Sequence, residues 1–200
     1  MELKASMLAF FTVFLLFFFS GCTSCTTDNI PSNGNNNGPH DYSWLENYSV
    51  VHFVGNGSDD FWVEFPQCNP SSGETVEHLQ WLTKSMENSS VMFVVHRTGC
   101  YGCKAQADRV VAFAEKYEEQ VVFYDLDISL GGATEQRAYM VYRYDPDGPP
   151  KYIALTGIFT KFNDSGEMKI GWHTWEGDVE DSLMESWIKD AIYYNQLNKD

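Results

Sequence analysis

Apolar runs and polar clusters alternate along this chain in a pattern that predicts its elements from residue 49 onward. Residues 49–54 and 60–65 are rich in β-branched and aromatic side chains and flank a turn-type cluster at 55–59, which predicts two short strands or a hairpin. Across 74–87, Val76, Leu79, Trp81 and Leu82 recur near helical spacing, with Ser71 or Ser72 as candidate caps. Residues 91–95 form an unbroken apolar run of strand length, as in a strand buried on both faces.

An amphipathic helix is expected over 103–120, where Ala105, Val110, Val111, Phe113, Ala114 and Tyr117 are separated by charges. A strand over 121–129, a helix over 133–144 and the turn cluster Asp145-Pro146-Asp147-Gly148-Pro149-Pro150 come next. Strands over 151–159 and 168–173 enclose a tight turn at 163–167, and a helix over 178–195 closes the chain. From residue 91 the order is strand, helix, strand, helix, strand, strand, helix. That order predicts an α/β sheet with a parallel part and an antiparallel hairpin edge.

The first forty residues follow a different pattern. Lys4 precedes an apolar run over 7–19, which ends in Ser20-Gly21-Cys22, the shape of an export signal over 1–21. The run is short for a membrane span of roughly 20 residues. Ser20-Gly21-Cys22 resembles the lipobox of secreted lipoproteins, with Phe19 where Leu is commoner, so Cys22 is the candidate lipidation site. Residues 22–40 offer almost nothing to bury and are expected to form a disordered tether. The domain at 41–200, an extension at 41–88 and a core at 89–195, is therefore expected outside the cytoplasm, where thiols are not held reduced. It would be held to a membrane surface by lipid or by the amino-terminal segment.

Composition narrows the partners. A chain of 200 residues, 44% hydrophobic and 16% aromatic, has ample material for a core. A formal net charge of −15 leaves no basic stripe to displace counterions, which argues against a nucleic-acid partner. Asn47, Asn56, Asn88 and Asn163 match the glycosylation acceptor pattern, which also arises by chance in Asn- and Ser-rich loops.

Five cysteines are too few for a disulfide-built scaffold. Cys100-Tyr101-Gly102-Cys103 lies where the 91–95 strand gives way to a helix, so it is a redox pair, half a metal site or a structural disulfide. A zinc site needs a second ligand pair; only Cys25 with Cys68 could supply cysteines, and His40, His52, His78, His96 and His173 lack ligand spacing. A permanent disulfide is the stronger competitor. For redox chemistry, the amide groups and dipole of a helix mouth favour a thiolate at Cys100, with Cys103 one turn inside it to resolve a mixed disulfide. Cys22-Thr23-Ser24-Cys25 has the same spacing without a strand or helix around it and reads as anchor chemistry. Cys68 is read as a core thiol, a partner for Cys25, or a third redox thiol, in that order. Trp172 and Trp175 beside His173 either line a surface or pack.

Taken in order, the strand, Cys100-x-x-Cys103-Lys104, the helix, the strand ending in Asp127, the Tyr-containing helix, Gly148-Pro149-Pro150 before a strand, the hairpin, Gly171 and the final helix resemble the thioredoxin-like superfamily. The resemblance covers about 89–195. It implies a three-layer α/β fold, a central mixed sheet of about four to five strands flanked by helices, here with extra amino-terminal strands. It also implies a thiol–disulfide oxidoreductase that needs no cofactor or metal, acts on protein thiols or disulfides, and is recharged by a redox partner. Cys100 would attack and Cys103 resolve. Pro150 would be the family's cis-proline, with Pro149 and Tyr101 at the substrate groove. Two departures stand out. Gly99 replaces the family's usual Trp, and Val94 stands where thioredoxins proper carry a buried Asp that assists proton transfer. Without that carboxylate, deprotonation of Cys103 would need water or another residue, such as His96 or a further acid, and His96 on its own reads as a structural residue at the strand end.

Overall fold

In a computed structural model of the chain, the structure describes residues 42–197. The expected signal, tether, Cys22 and Cys25 lie outside the described residues. Strand β1 (Ser90–His96) supports the rest. Val91, Met92, Phe93, Val94 and Val95 are all 0% exposed, so neither of its faces reaches water. Burying such side chains contributes about 1.5–3 kcal/mol each, enough to place this strand at the centre. β1 pairs in parallel with β2 (Val121–Asp127) on one side. On the other it pairs antiparallel with β3 (Leu155–Asp164), which continues through a hairpin into β4 (Glu167–Glu176). The strand order is β2-β1-β3-β4.

The period-two alternation of β1 divides the core. Val91, Phe93 and Val95 face a cluster that includes Leu82 of α1 (Gln80–Ser85) and Ala138 and Val141 of α3 (Gly132–Val141). Met92 and Val94 face the other layer, with Cys103, Val110 and Phe113 of α2 (Tyr101–Tyr117) and Trp187, Ile188 and Ala191 of α4 (Asp181–Leu197). Helices on both faces of a four-stranded mixed sheet make three layers, as the order of elements predicts. Gly157 in β3 is required by close approach: a Cβ there would lie 2.6 Å from the Phe93 ring.

The 41–88 extension departs from its expected strands. Residues 49–65 form only isolated bridges, Val54↔Phe61, Glu64↔Thr75 and Trp62↔Trp172, the last against the outer edge of β4. The cause is where the backbone donors go. The N–H groups of Val51 and His52 bind the carboxylate of Asp190, which also accepts from Tyr48 Oη at 2.7 Å and from His52 Nδ1 at 2.6 Å. Asp190 is fully buried in α4, so this knot fastens the extension to the domain. Helix α1 is shorter than the 74–87 expected, because Thr75 bridges Glu64 and the Leu79 N–H is taken by the Tyr144 hydroxyl at 3.0 Å. Residues 151–154 are likewise not strand; β3 begins at Leu155.

Trp187 lies between two histidines, with ring centroids 3.7 Å from His52 and 4.1 Å from His173. His173 donates Nδ1–H to the carbonyl of Asp60 at 2.9 Å, and burial lowers its pKa to about 3. His78, half-buried, is lowered to about 4 by desolvation, with the charge of Arg143 adding to the effect. Trp172 is fully buried, so it packs and lines no surface.

Asp190→Ala should cost about 3–5 kcal/mol, since it strands several buried donors; urea unfolding followed by tryptophan fluorescence measures it. The two neutral histidines give a pH dependence of definite sign. The unfolded chain takes up their protons below about pH 6.5 whereas the folded chain resists, so their contribution to stability is complete above that pH and falls towards about pH 4. His96, whose pKa is raised mainly by its bond to Asp125, works in the opposite direction, as its stabilisation is lost when pH rises. A urea midpoint that declines on acidification, and declines less in His173→Phe, is the expected result.

Candidate functional site

Cys100 and Cys103 form a disulfide, with Cα atoms 5.4 Å apart. The local chain explains how they meet. Residues 97–100 form a turn closed by the Cys100 N–H to the Arg97 carbonyl at 3.0 Å, and Gly99 within it has φ 84°. An L side chain is disfavoured at that φ, which accounts for glycine where the resemblance expects tryptophan. Cys100 then takes an extended conformation as the N-cap of α2, and the Cys103 N–H donates to its carbonyl at 3.2 Å.

Asp127, at the end of β2, fixes the turn from beneath. Its carboxylate accepts from the Thr98 N–H at 3.1 Å, the Thr98 hydroxyl, the Ser129 N–H at 2.8 Å and the Ser129 hydroxyl at 2.7 Å. Burial opposes its ionisation, yet these four donors hold its pKa well below the usual carboxylate range. Asp127 was quoted in the sequence as a strand end; its anchoring role becomes visible only when Thr98 folds back onto it.

The two sulfurs differ in access. Cys103 is 1% exposed and belongs to the apolar cluster between sheet and helix, whereas Cys100 is half-buried and packs at its border. Tyr101, between them in sequence, is 98% exposed. Val94 lies in the same cluster as Cys103. Thr156, its partner in β3, receives a hydrogen bond from Gln106 Nε2 at 2.8 Å. These polar neighbours are neither acid nor base. His96 Nε2 sits 2.5 Å from Asp125 Oδ1 of β2, and this bond raises its pKa against the effect of burial.

The Pro149–Pro150 peptide is cis, and both rings are exposed. The pair just before β3 belongs to the same apolar cluster as the cysteines: Ala154, 1% exposed, is part of it, and half-buried Ile153 and Trp175 of β4 pack against it. The Ile153–Ala154 peptide is also cis. Sequence reasoning missed this pair because it placed the start of the strand at 151. Cys68 is corrected from a core thiol to an exposed one, its Sγ donating to the Pro146 carbonyl at 3.2 Å.

A mixed sheet in the order β2-β1-β3-β4, two helices on each face and a disulfide at the head of α2 decide the architecture. The fold is thioredoxin-like. No protein-family model matches the sequence, and no curated protein matches it either. Among solved structures the chain is similar to chloroplastic thioredoxin z, at 13% identity over 56% of this chain and 87% of that one, TM-score 0.40. It is also similar to a Malassezia sympodialis thioredoxin, at 18% identity over 56% and 86%, TM-score 0.38. A third is mitochondrial thioredoxin 3 of Saccharomyces cerevisiae, at 14% over 55% and 86%, TM-score 0.35. The thioredoxin-like assignment rests on the topology and the cysteine placement described above.

The unequal burial predicts unequal reactivity once the bond is reduced. Iodoacetamide should modify Cys100 more than about tenfold faster than Cys103, with Cys68 also labelled, as peptide mass spectrometry would show. Equal labelling of Cys100 and Cys103 would remove the distinction.

Proposed function

We propose that this protein is an extracytoplasmic thiol–disulfide oxidoreductase that exchanges disulfides with protein substrates through Cys100 and Cys103. The observation that carries the reading is the disulfide at the mouth of α2, with one sulfur at the rim and the other enclosed. In the reduced form, the Cys100 thiolate attacks one sulfur of a substrate disulfide and expels the other as a thiolate. The Cys103 thiolate then attacks Cys100 Sγ, re-forms the intramolecular bond and releases the second substrate thiolate. Two electrons pass to the substrate and two protons follow from solvent. In the oxidised form the same steps run backwards, with a substrate thiolate attacking Cys100 Sγ and Cys103 leaving. A partner of matching potential restores the pair.

The surroundings assign supporting roles. The amide groups of the first turn of α2 face the Cys100 side and favour its thiolate. Tyr101, exposed between the two cysteines in sequence, and the cis Pro149-Pro150 peptide are assigned to the substrate groove, while Ile153 and Ala154 share the apolar cluster of the cysteines. Deprotonation of Cys103 falls to water, because Val94, Thr156 and Gln106 offer no base. Export and attachment to a membrane surface, through lipid on Cys22 or the amino-terminal segment, complete the proposal, supported by the pattern over 1–40. Mass spectrometry of the mature amino terminus checks it.

The alternative is a binding module with a structural disulfide, favoured by the departures at Val94 and Gly99. Insulin reduction separates the two. Turnover that is lost in Cys100→Ser, with a mixed disulfide trapped in Cys103→Ser, is expected. No turnover, together with a pair that stays oxidised below about −300 mV, would assign the disulfide to structure.

A further inference from the structure

Away from the cysteines, the turn after α3 gathers three carboxylates. One oxygen from each of Asp145, Asp147 and Glu176 lies within 4.8 Å of the others. Asp145 is 3% exposed, and its two oxygens have different fates. Oδ1 accepts from the Gly148 N–H at 2.9 Å and the Asp147 N–H at 3.3 Å, which shapes the turn. Oδ2 is buried with no donor among the described residues. A buried carboxylate oxygen without a partner is costly, and two more acids beside it increase the cost. None of the three forms an ion pair with a basic side chain among the described residues.

We propose that Asp145, Asp147 and Glu176 bind a divalent cation of the calcium type, with Asp145 Oδ2 as the buried ligand and water completing the shell. Calcium bonds to oxygens at about 2.3–2.6 Å, so two oxygens on opposite sides of one ion stand about 5 Å apart, a span that covers this trio. Mixed burial and an irregular turn suit calcium, which tolerates variable geometry, better than magnesium, which demands a tight octahedron. Neighbouring backbone and side-chain contacts hold the acids in place. Asn69 Nδ2 binds the Asp145 carbonyl at 2.8 Å, and the Tyr152 N–H binds Glu176 Oε1 at 3.1 Å. Gly148 has φ 81°, and a Cβ on it would meet Pro70 at 2.9 Å, so the turn is specified by its sequence. Burial raises the pKa of Asp145 and of Glu176, and their mutual repulsion with Asp147 adds to it, as expected of acids lacking a counter-charge.

The cation would join the 145–148 turn to the end of β4, where Glu176 is paired with Leu155 at the start of β3. It thereby braces both ends of the 149–154 segment. The test compares thermal unfolding of the EDTA-treated full chain with and without about 10 mM calcium, on the order of ten times the weaker dissociation constants of extracellular calcium sites. A rise of several degrees is expected, with a smaller rise in magnesium. In Asp145→Asn, whose Oδ1 still shapes the turn, and in Asp147→Asn, at an exposed position, the calcium effect should shrink to below about half. Identical unfolding with and without calcium, an undiminished effect in both variants, or an equal response to magnesium would overturn the assignment.

Discussion

The arrangement depends on one constraint, the burial of β1 on both faces. A strand with five consecutive apolar residues at 0% exposure must have a sheet neighbour on each side and a helical layer above and below. Its only route out is through its ends. At the carboxyl end the chain must turn sharply from the core into α2, and the turn takes its shape from Gly99 and its fixed position from Asp127. The cysteines occupy the first helical turn because that is where the chain leaves the core. Their unequal exposure follows: Cys100 stays at the rim, and one turn carries Cys103 beneath the helix.

The same constraint gives the site its chemical character. The β1 residues that share a cluster with Cys103, Met92 and Val94, are apolar, so the inner sulfur sits in a largely hydrocarbon layer. An acid at that position would need a partner, and Thr156 is already engaged by Gln106. The structure thus separates its charges from its sulfurs. Asp127 holds the turn, Arg109 ties α2 to Asp178 and Asp181, and Asp190 fastens the extension; each anchors backbone or another helix.

Most of the architecture was legible in the sequence because periodicity reports burial directly. The apolar run at 91–95, the heptad-like spacing in α2 and α4 and the hairpin turn at 163–167 each state which face is covered. The C-x-x-C at a strand-to-helix junction was enough to locate the candidate site. What the sequence did not show depends on contacts between distant residues. Residues 49–54 look like a strand, yet their donors turn to Asp190, a residue about 140 positions away. Residues 151–154 look like the start of a strand, yet β3 begins later, and Ile153 and Ala154 join the apolar cluster that includes the cysteines. Cys68 looks like core material in a Pro-rich loop, but that loop lies on the surface. Local pattern cannot register a partner that arrives from elsewhere in the chain.

The two-way hydrogen bonding between Trp62 and Trp172, at 2.7 and 3.0 Å, has a bearing on traffic at the sheet. An unprotected outer strand invites another polypeptide to lie alongside it. By placing its own backbone across the middle of β4, the amino-terminal extension occupies that berth. A polypeptide approaching β4 from this side finds the backbone of Trp172 already paired.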